Sequence, residues 1–120
     1  MKEGDVVLAP LPQGDGETKP RPVLVLRIMP PFGDLLVCGI STQLHQAVAN
    51  FDELIRPTDT DFASSGLVST SLFRLGFLAA LPTRRVLGRL GSVSTARQAR
   101  LLRRLADYLV KDLGPVPSKT

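Results

Sequence analysis

Three polar positions bracket two apolar runs in a way that could handle a phosphate. Arg21 ends a turn-rich stretch and precedes Pro22-Val23-Leu24-Val25-Leu26, while Ser41 and Thr42 follow Leu35-Leu36-Val37-Cys38-Gly39-Ile40. A guanidinium presents a planar fork to two phosphate oxygens. Neighbouring hydroxyls can hold a third, or stabilise charge that grows during phosphoryl transfer. The same residues are equally what a surface arginine and two turn residues would look like. Other chemistries lack support: there is no Gly-rich phosphate loop with Lys and Ser/Thr, no paired-histidine metal signature and no nucleophile elbow. His45, the sole histidine, sits beside a loop and reads as an exposed polar residue. Cys38, the sole cysteine, excludes an internal disulfide and a multi-cysteine metal site, and its apolar neighbours mark it as a small core residue.

Those positions need a sheet to bring them together. Asp5 to Ala9, Val23 to Met29 and Leu35 to Ser41 are β-branched and apolar stretches bounded by Pro and Gly, as short strands are. The link from Pro10 to Pro20 is dense in turn formers and is expected to be a mobile surface loop. Pro30-Pro31-Phe32-Gly33-Asp34 turns the chain back, so the second and third strands are expected to form an antiparallel hairpin. Such a hairpin brings Arg21 and Ser41 to one end. Further on, Thr42 to Asn50 has weak helical character and Phe51 to Ile55 can form a strand. Thr58-Asp59-Thr60-Asp61 can cap a short helical turn that Gly66 ends. Leu67 to Leu75, Phe77 to Leu81 and Val86 to Leu90 read as three more strands. Ser94 then caps a final helix whose apolar positions Leu101, Leu102, Leu105, Tyr108, Leu109 and Leu113 recur at intervals of three and four, with Gly114-Pro115 as its stop.

At 120 residues the chain has the size of one domain. Its 43% hydrophobic and 22% charged residues are ordinary globular usage. The apolar runs are too short to cross a bilayer, and the start, Met1-Lys2-Glu3-Gly4-Asp5, lacks the layout of a secretory signal. A cytoplasmic location is expected. The net charge is +4 but is unevenly spread: nine of the fifteen Lys and Arg lie beyond residue 83, and nine of the eleven Asp and Glu lie before it. Arg97, Arg100, Arg103, Arg104 and Lys111 give the last helix an expected basic face opposite its apolar one. Such a face suits a partner rich in phosphate or carboxylate, or simply solvates the helix.

Gly4-Asp5-Val6-Val7-Leu8, then Lys19-Pro20-Arg21-Pro22-Val23-Leu24-Val25-Leu26, then Cys38-Gly39-Ile40-Ser41-Thr42-Gln43 resembles the PemK/MazF family of toxin ribonucleases in order and spacing. The resemblance continues through Ser65-Gly66-Leu67, Ser71-Leu72-Phe73-Arg74-Leu75 and Gly88-Arg89-Leu90-Gly91-Ser92-Val93-Ser94 into the closing helix. It implies an α+β fold: a small SH3-like β-barrel, a twisted antiparallel sheet with short helices and a C-terminal amphipathic helix. It also implies a homodimer that cleaves single-stranded RNA without a metal or cofactor, and a cognate antitoxin whose acidic C-terminal segment blocks it.

Carried onto this chain, the resemblance makes Arg21, Ser41, Thr42 and Arg74 the catalytic set, and Glu17, Lys19, Pro22 and Gln43 the residues that bind substrate. Some relatives carry an acidic residue two positions after the later arginine, where this chain has Gly76. Metal-free cleavage needs the 2′-hydroxyl deprotonated, the leaving 5′-oxygen protonated and an anionic phosphorane stabilised. Arginine stays charged and suits the last two tasks. Glu17 is then the candidate base. The alternative is a barrel that binds RNA or a protein without cutting. The structurally similar gyrase-poisoning toxins are a third reading, but they depend on a C-terminal end that residues 114–120 do not obviously reproduce.

Overall fold

The computed structural model describes residues 1–12 and 16–118. Gln13, Gly14 and Asp15 of the expected loop, and Lys119 and Thr120, lie outside the described residues. Six strands form one antiparallel sheet: β1 (Asp5–Pro12), β2 (Thr18–Met29), β3 (Asp34–Ser41), β4 (Glu53–Ile55), β5 (Ser71–Leu81) and β6 (Gly88–Ser92), in spatial order β4-β5-β3-β2-β1-β6. The sheet curls into a half-barrel. A short helix, α1 (Phe62–Ser65), sits between β4 and β5, and α2 (Thr95–Leu109) closes the chain. The α+β class is the one expected from the sequence. No helix is long and apolar enough to cross a membrane among the described residues.

Strand period decides which residues are buried together. Val6, Leu24, Leu26, Cys38, Ile40, Phe73 and Leu75 form one apolar cluster, into which α2 inserts Leu101 and Leu105. The alternate residues Val7, Ala9, Leu11, Val23, Val25, Leu35 and Val37 form a second cluster on the opposite face. Burial pushes the Cys38 thiol up to about 12, helped by the charge of Asp52.

Several elements differ from expectation. The stretch read as a loop from Pro10 to Pro20 is largely strand, with Pro10 opposite Pro20, Leu11 opposite Lys19 and Pro12 opposite Thr18. Leu11 is buried in the second cluster and draws β1 onward. Pro10, Pro12, Pro20 and Pro22 recur at alternate positions, and neither strand has another neighbour beyond Leu8 and Val23, so a missing N–H costs no ladder bond. The two strands expected across Leu67–Leu81 are one, β5, with an irregularity in the middle. Thr42–Asn50 contains only a 3-10 turn at Leu44–Gln46.

Local chemistry sets the helices as anticipated at their starts. Ser94 Oγ accepts from the Arg97 N–H at 3.1 Å and caps α2. Gly66 ends α1 in the left-handed region, at φ 75°. But α2 stops at Leu109, short of Gly114, and Tyr108, Leu109 and Leu113 stand 60%, 62% and 69% exposed. The apolar face of α2 is therefore covered only along its first half.

Candidate functional site

Arg21 continues the second face along β2, two residues beyond Val23, and lies opposite Ala9 of β1. On the other side of β2, Val23 pairs with Gly39. The ladder ends there, and Arg21 and Ser41 stand two residues further on at the same end of the hairpin, where both line one cavity. Gly39 in turn faces Arg74 of β5. Three strands thus bring Arg21, Ser41 and Arg74 to one end of one sheet face.

A cavity of about 550 Å³ opens there, and its walls include Arg21, Pro22, Ser41, Thr42, Gln43 and Arg74. Ser41 Oγ accepts from the Gln43 N–H at 3.0 Å, which holds the turn after β3 and leaves the hydroxyl hydrogen to donate. Arg74 is half-buried, and no ion pair among the described residues engages it. The described walls contain two arginines and no Asp, Glu or His. Two guanidinium groups beside hydroxyls, with no carboxylate to repel an anion, can hold a phosphodiester.

Two of the expected binding residues do not border the cavity. Lys19 lies on the same face of β2 as Arg21, one step further out opposite Leu11, and Glu17 stands exposed one residue before β2 begins. Among the walls that the sequence did not suggest are Gly39, Gln46 and Phe77. Gln46 could have been suspected from its closeness to Gln43. Phe77 could not, because period two from Arg74 points it to the other face. Gly76 borders a different, largely apolar cavity of about 780 Å³ that Phe51, Leu78, Tyr108 and Leu109 also line. Among the described residues no group of His, Cys, Asp or Glu is arranged to hold a metal ion.

The expected basic face of α2 needs correction. Arg97 is buried and donates to Asp61 at 2.8 and 3.1 Å, Asp59 at 3.1 Å, Glu53 at 2.9 Å and the Leu54 carbonyl at 3.0 Å. It also stands 5.6 Å over the Phe73 ring. Arg100 and Arg104 both reach Glu53, at 3.0 Å each. Burial alone would lower the Arg97 pKa, but its bonds to Asp61 and the charges of Asp61, Glu53 and Asp59 raise it overall. The Arg97 hydrogen bonds hold the Asp61 carboxyl down at about 2. These arginines fasten α2 to the segment around β4 and α1. They do not form a free basic stripe.

In comparisons with known proteins, no curated protein sequence matches the chain. Among solved structures, the Mycobacterium tuberculosis toxin MazF-mt6 has a similar fold, with a TM-score of 0.65 and 20% identity over 90% of this chain and 98% of that one. The model of the PemK-like, MazF-like toxins of type II toxin-antitoxin systems matches residues 2–109. A match over nearly the whole chain, on the sheet and helix just described, means that the protein belongs to the PemK-like, MazF-like toxin family.

Proposed function

We propose that the protein is the toxin of a type II toxin-antitoxin system and cleaves single-stranded RNA, with the cavity at the open end of β2, β3 and β5 as its active site. The observation that carries this reading is the convergence of Arg21, Ser41, Thr42 and Arg74 on one cavity whose described walls bear no acidic side chain. In the reaction, the 2′-oxygen attacks the adjacent phosphorus as its proton leaves. The bond to the 5′-oxygen breaks as that oxygen gains a proton, which yields a 2′,3′-cyclic phosphate and a 5′-hydroxyl. Arg21 grips the non-bridging oxygens, Arg74 stabilises the phosphorane, and Ser41 and Thr42 donate to its remaining oxygen. Pro22 and Gln43 shape the floor for the flanking nucleotide, and Lys19 attracts the strand at the rim. Glu17, exposed on the approach to β2 and outside the described cavity walls, is the candidate to take the 2′-proton, which it can do only by reaching in over the rim. No metal ion has a part in this scheme.

The test is incubation of purified protein with mixed single-stranded RNA in excess chelator. Fragments ending in cyclic phosphate are expected, with Arg21→Ala slowed by about a hundredfold or more, the scale of losing one charge-stabilising group. Equal cutting by Arg21→Ala, or no fragments from any sequence, rules the scheme out. The absence of any carboxylate or imidazole among the described cavity walls favours a second reading, a barrel that binds RNA without cutting it. Steeply salt-dependent binding with no product would support that outcome.

The same reading includes a homodimer and an antitoxin whose acidic C-terminal segment competes with RNA for the arginine cavity. It also puts the protein in the cytoplasm, where its RNA substrate lies. The exposed end of α2 and the residues just beyond it support the homodimer, since Tyr108, Leu109, Val110 and Leu113 are uncovered together.

A further inference from the structure

The irregularity in β5 has a consequence for what the cavity recognises. Arg74 pairs with Gly39 and Leu78 with Cys38, so Leu75, Gly76 and Phe77 of β5 have no partners in β3. A run with an odd number of extra residues reverses the alternation of a strand. Phe73 just before it and Leu75 at its start pack into the cluster under α2, and Arg74 between them faces the other way. After it, Phe77, Ala79 and Leu81 pack against the second cluster. Phe77 therefore shares a face with Arg74, although the two are an odd number of residues apart, and it borders the arginine cavity.

Its ring is also held in place. A Cβ on Gly39 would lie 3.1 Å from Phe77 Cδ1 and 3.3 Å from Cγ, so the ring rests on the Gly39 backbone. It is half-buried, and it is the only aromatic among the described residues lining the cavity. Gly39 is the strand neighbour of Arg74, so the aromatic surface and the phosphate fork meet over one residue. A nucleotide held at its phosphate carries its base within reach of such a surface. Stacking on an aromatic ring is the general way a single strand's bases are gripped.

We infer that Phe77 is a stacking platform for a base next to the phosphate held by Arg21 and Arg74, and that Gly39 lacks a side chain so that the ring can pack closely against its backbone. The inference rests on the RNA-binding reading above and deepens it. Its test compares two uncleavable strands of equal charge, a mixed-sequence 2′-O-methyl RNA and an abasic phosphodiester strand of the same length. Wild-type protein is expected to bind the base-bearing strand about tenfold more tightly. Phe77→Leu should lose that preference while keeping its affinity for the abasic strand. Phe77→Trp should retain the preference. Because the chain has no tryptophan, its single indole then reports stacking through quenching by the base-bearing strand alone.

A preference retained by Phe77→Leu, or an indole silent while the strand is bound, overturns the platform and leaves Phe77 as a cap on the second cluster. If Phe77→Leu fails to fold, the indole response decides by itself. Arg21→Ala separates the two levels, because it should weaken both strands together. If neither strand binds the wild-type protein, the platform and the RNA reading fail at once.

Discussion

Asp61 accepts two bonds from Arg97 and one from the Ser94 N–H at 3.0 Å, and it stands at the N-cap position of α1 without a side-chain capping bond there. This one carboxylate therefore ties the start of α1 to the start of α2, and its protonation should loosen that junction. Its folded pKa of about 2 lies below the ordinary 3.8. A carboxylate with a depressed folded pKa contributes stability that is complete above its unfolded pKa and disappears as pH falls through the folded one. The contribution is about 2 kcal/mol. Urea midpoints should accordingly drop between pH 5 and about pH 2. Asp61→Asn should be less stable at pH 7 and should show a flatter acid limb over that range. An identical acid limb in the variant would assign the loss to other carboxylates.

At the scale of elements, α1 and β6 approach through two glycines. A Cβ on Gly91 would collide with the Ser64 carbonyl oxygen, and one on Gly66 with that of Leu90. The obstacles are backbone atoms, which cannot rotate aside as a side chain could. Ser64 Oγ also donates to the Ser92 carbonyl across the same junction, at 3.0 Å. Gly91→Ala should therefore destabilise the fold by about 1–3 kcal/mol or more, read as a lower denaturation midpoint. An equivalent change at Gly88, where the space is open, should cost little. A similar loss at both positions would mean that strand propensity, and not the close approach, sets the cost.

For the whole molecule, part of the charge asymmetry along the sequence resolves into internal pairing. Asp5, Glu53, Asp59 and Asp61 from the acidic part meet Arg89, Arg97, Arg100 and Arg104 from the basic part. The fold also leaves an apolar patch uncovered at the distal end of α2. Leu109→Glu is expected to convert a dimer to a monomer in light scattering while leaving the thermal midpoint of the monomeric fold within a degree or two, since Leu109 is exposed. A wild-type protein that is monomeric at all concentrations would remove the dimer from the proposed function.

The sequence by itself determined the local features. The Ser94 cap and the left-handed stop at Gly66 depend on residues close together in the chain, and each appears where its residues stand. The β2–β3 hairpin brought Arg21 and Ser41 to one end for the same reason: a turn between adjacent strands sets their register locally. Tertiary structure decided the rest. Arg97 looked like a solvated helix residue until the fold brought Glu53, Asp59 and Asp61 around it. Pro10–Pro20 looked like a loop until burial of Leu11 drew it into the sheet. Phe77 joined Arg74 only because pairing with β3 leaves three residues of β5 unmatched and reverses its faces. Periodicity within one strand records which side a residue takes relative to its neighbours, whereas the partner strand determines where that period is broken.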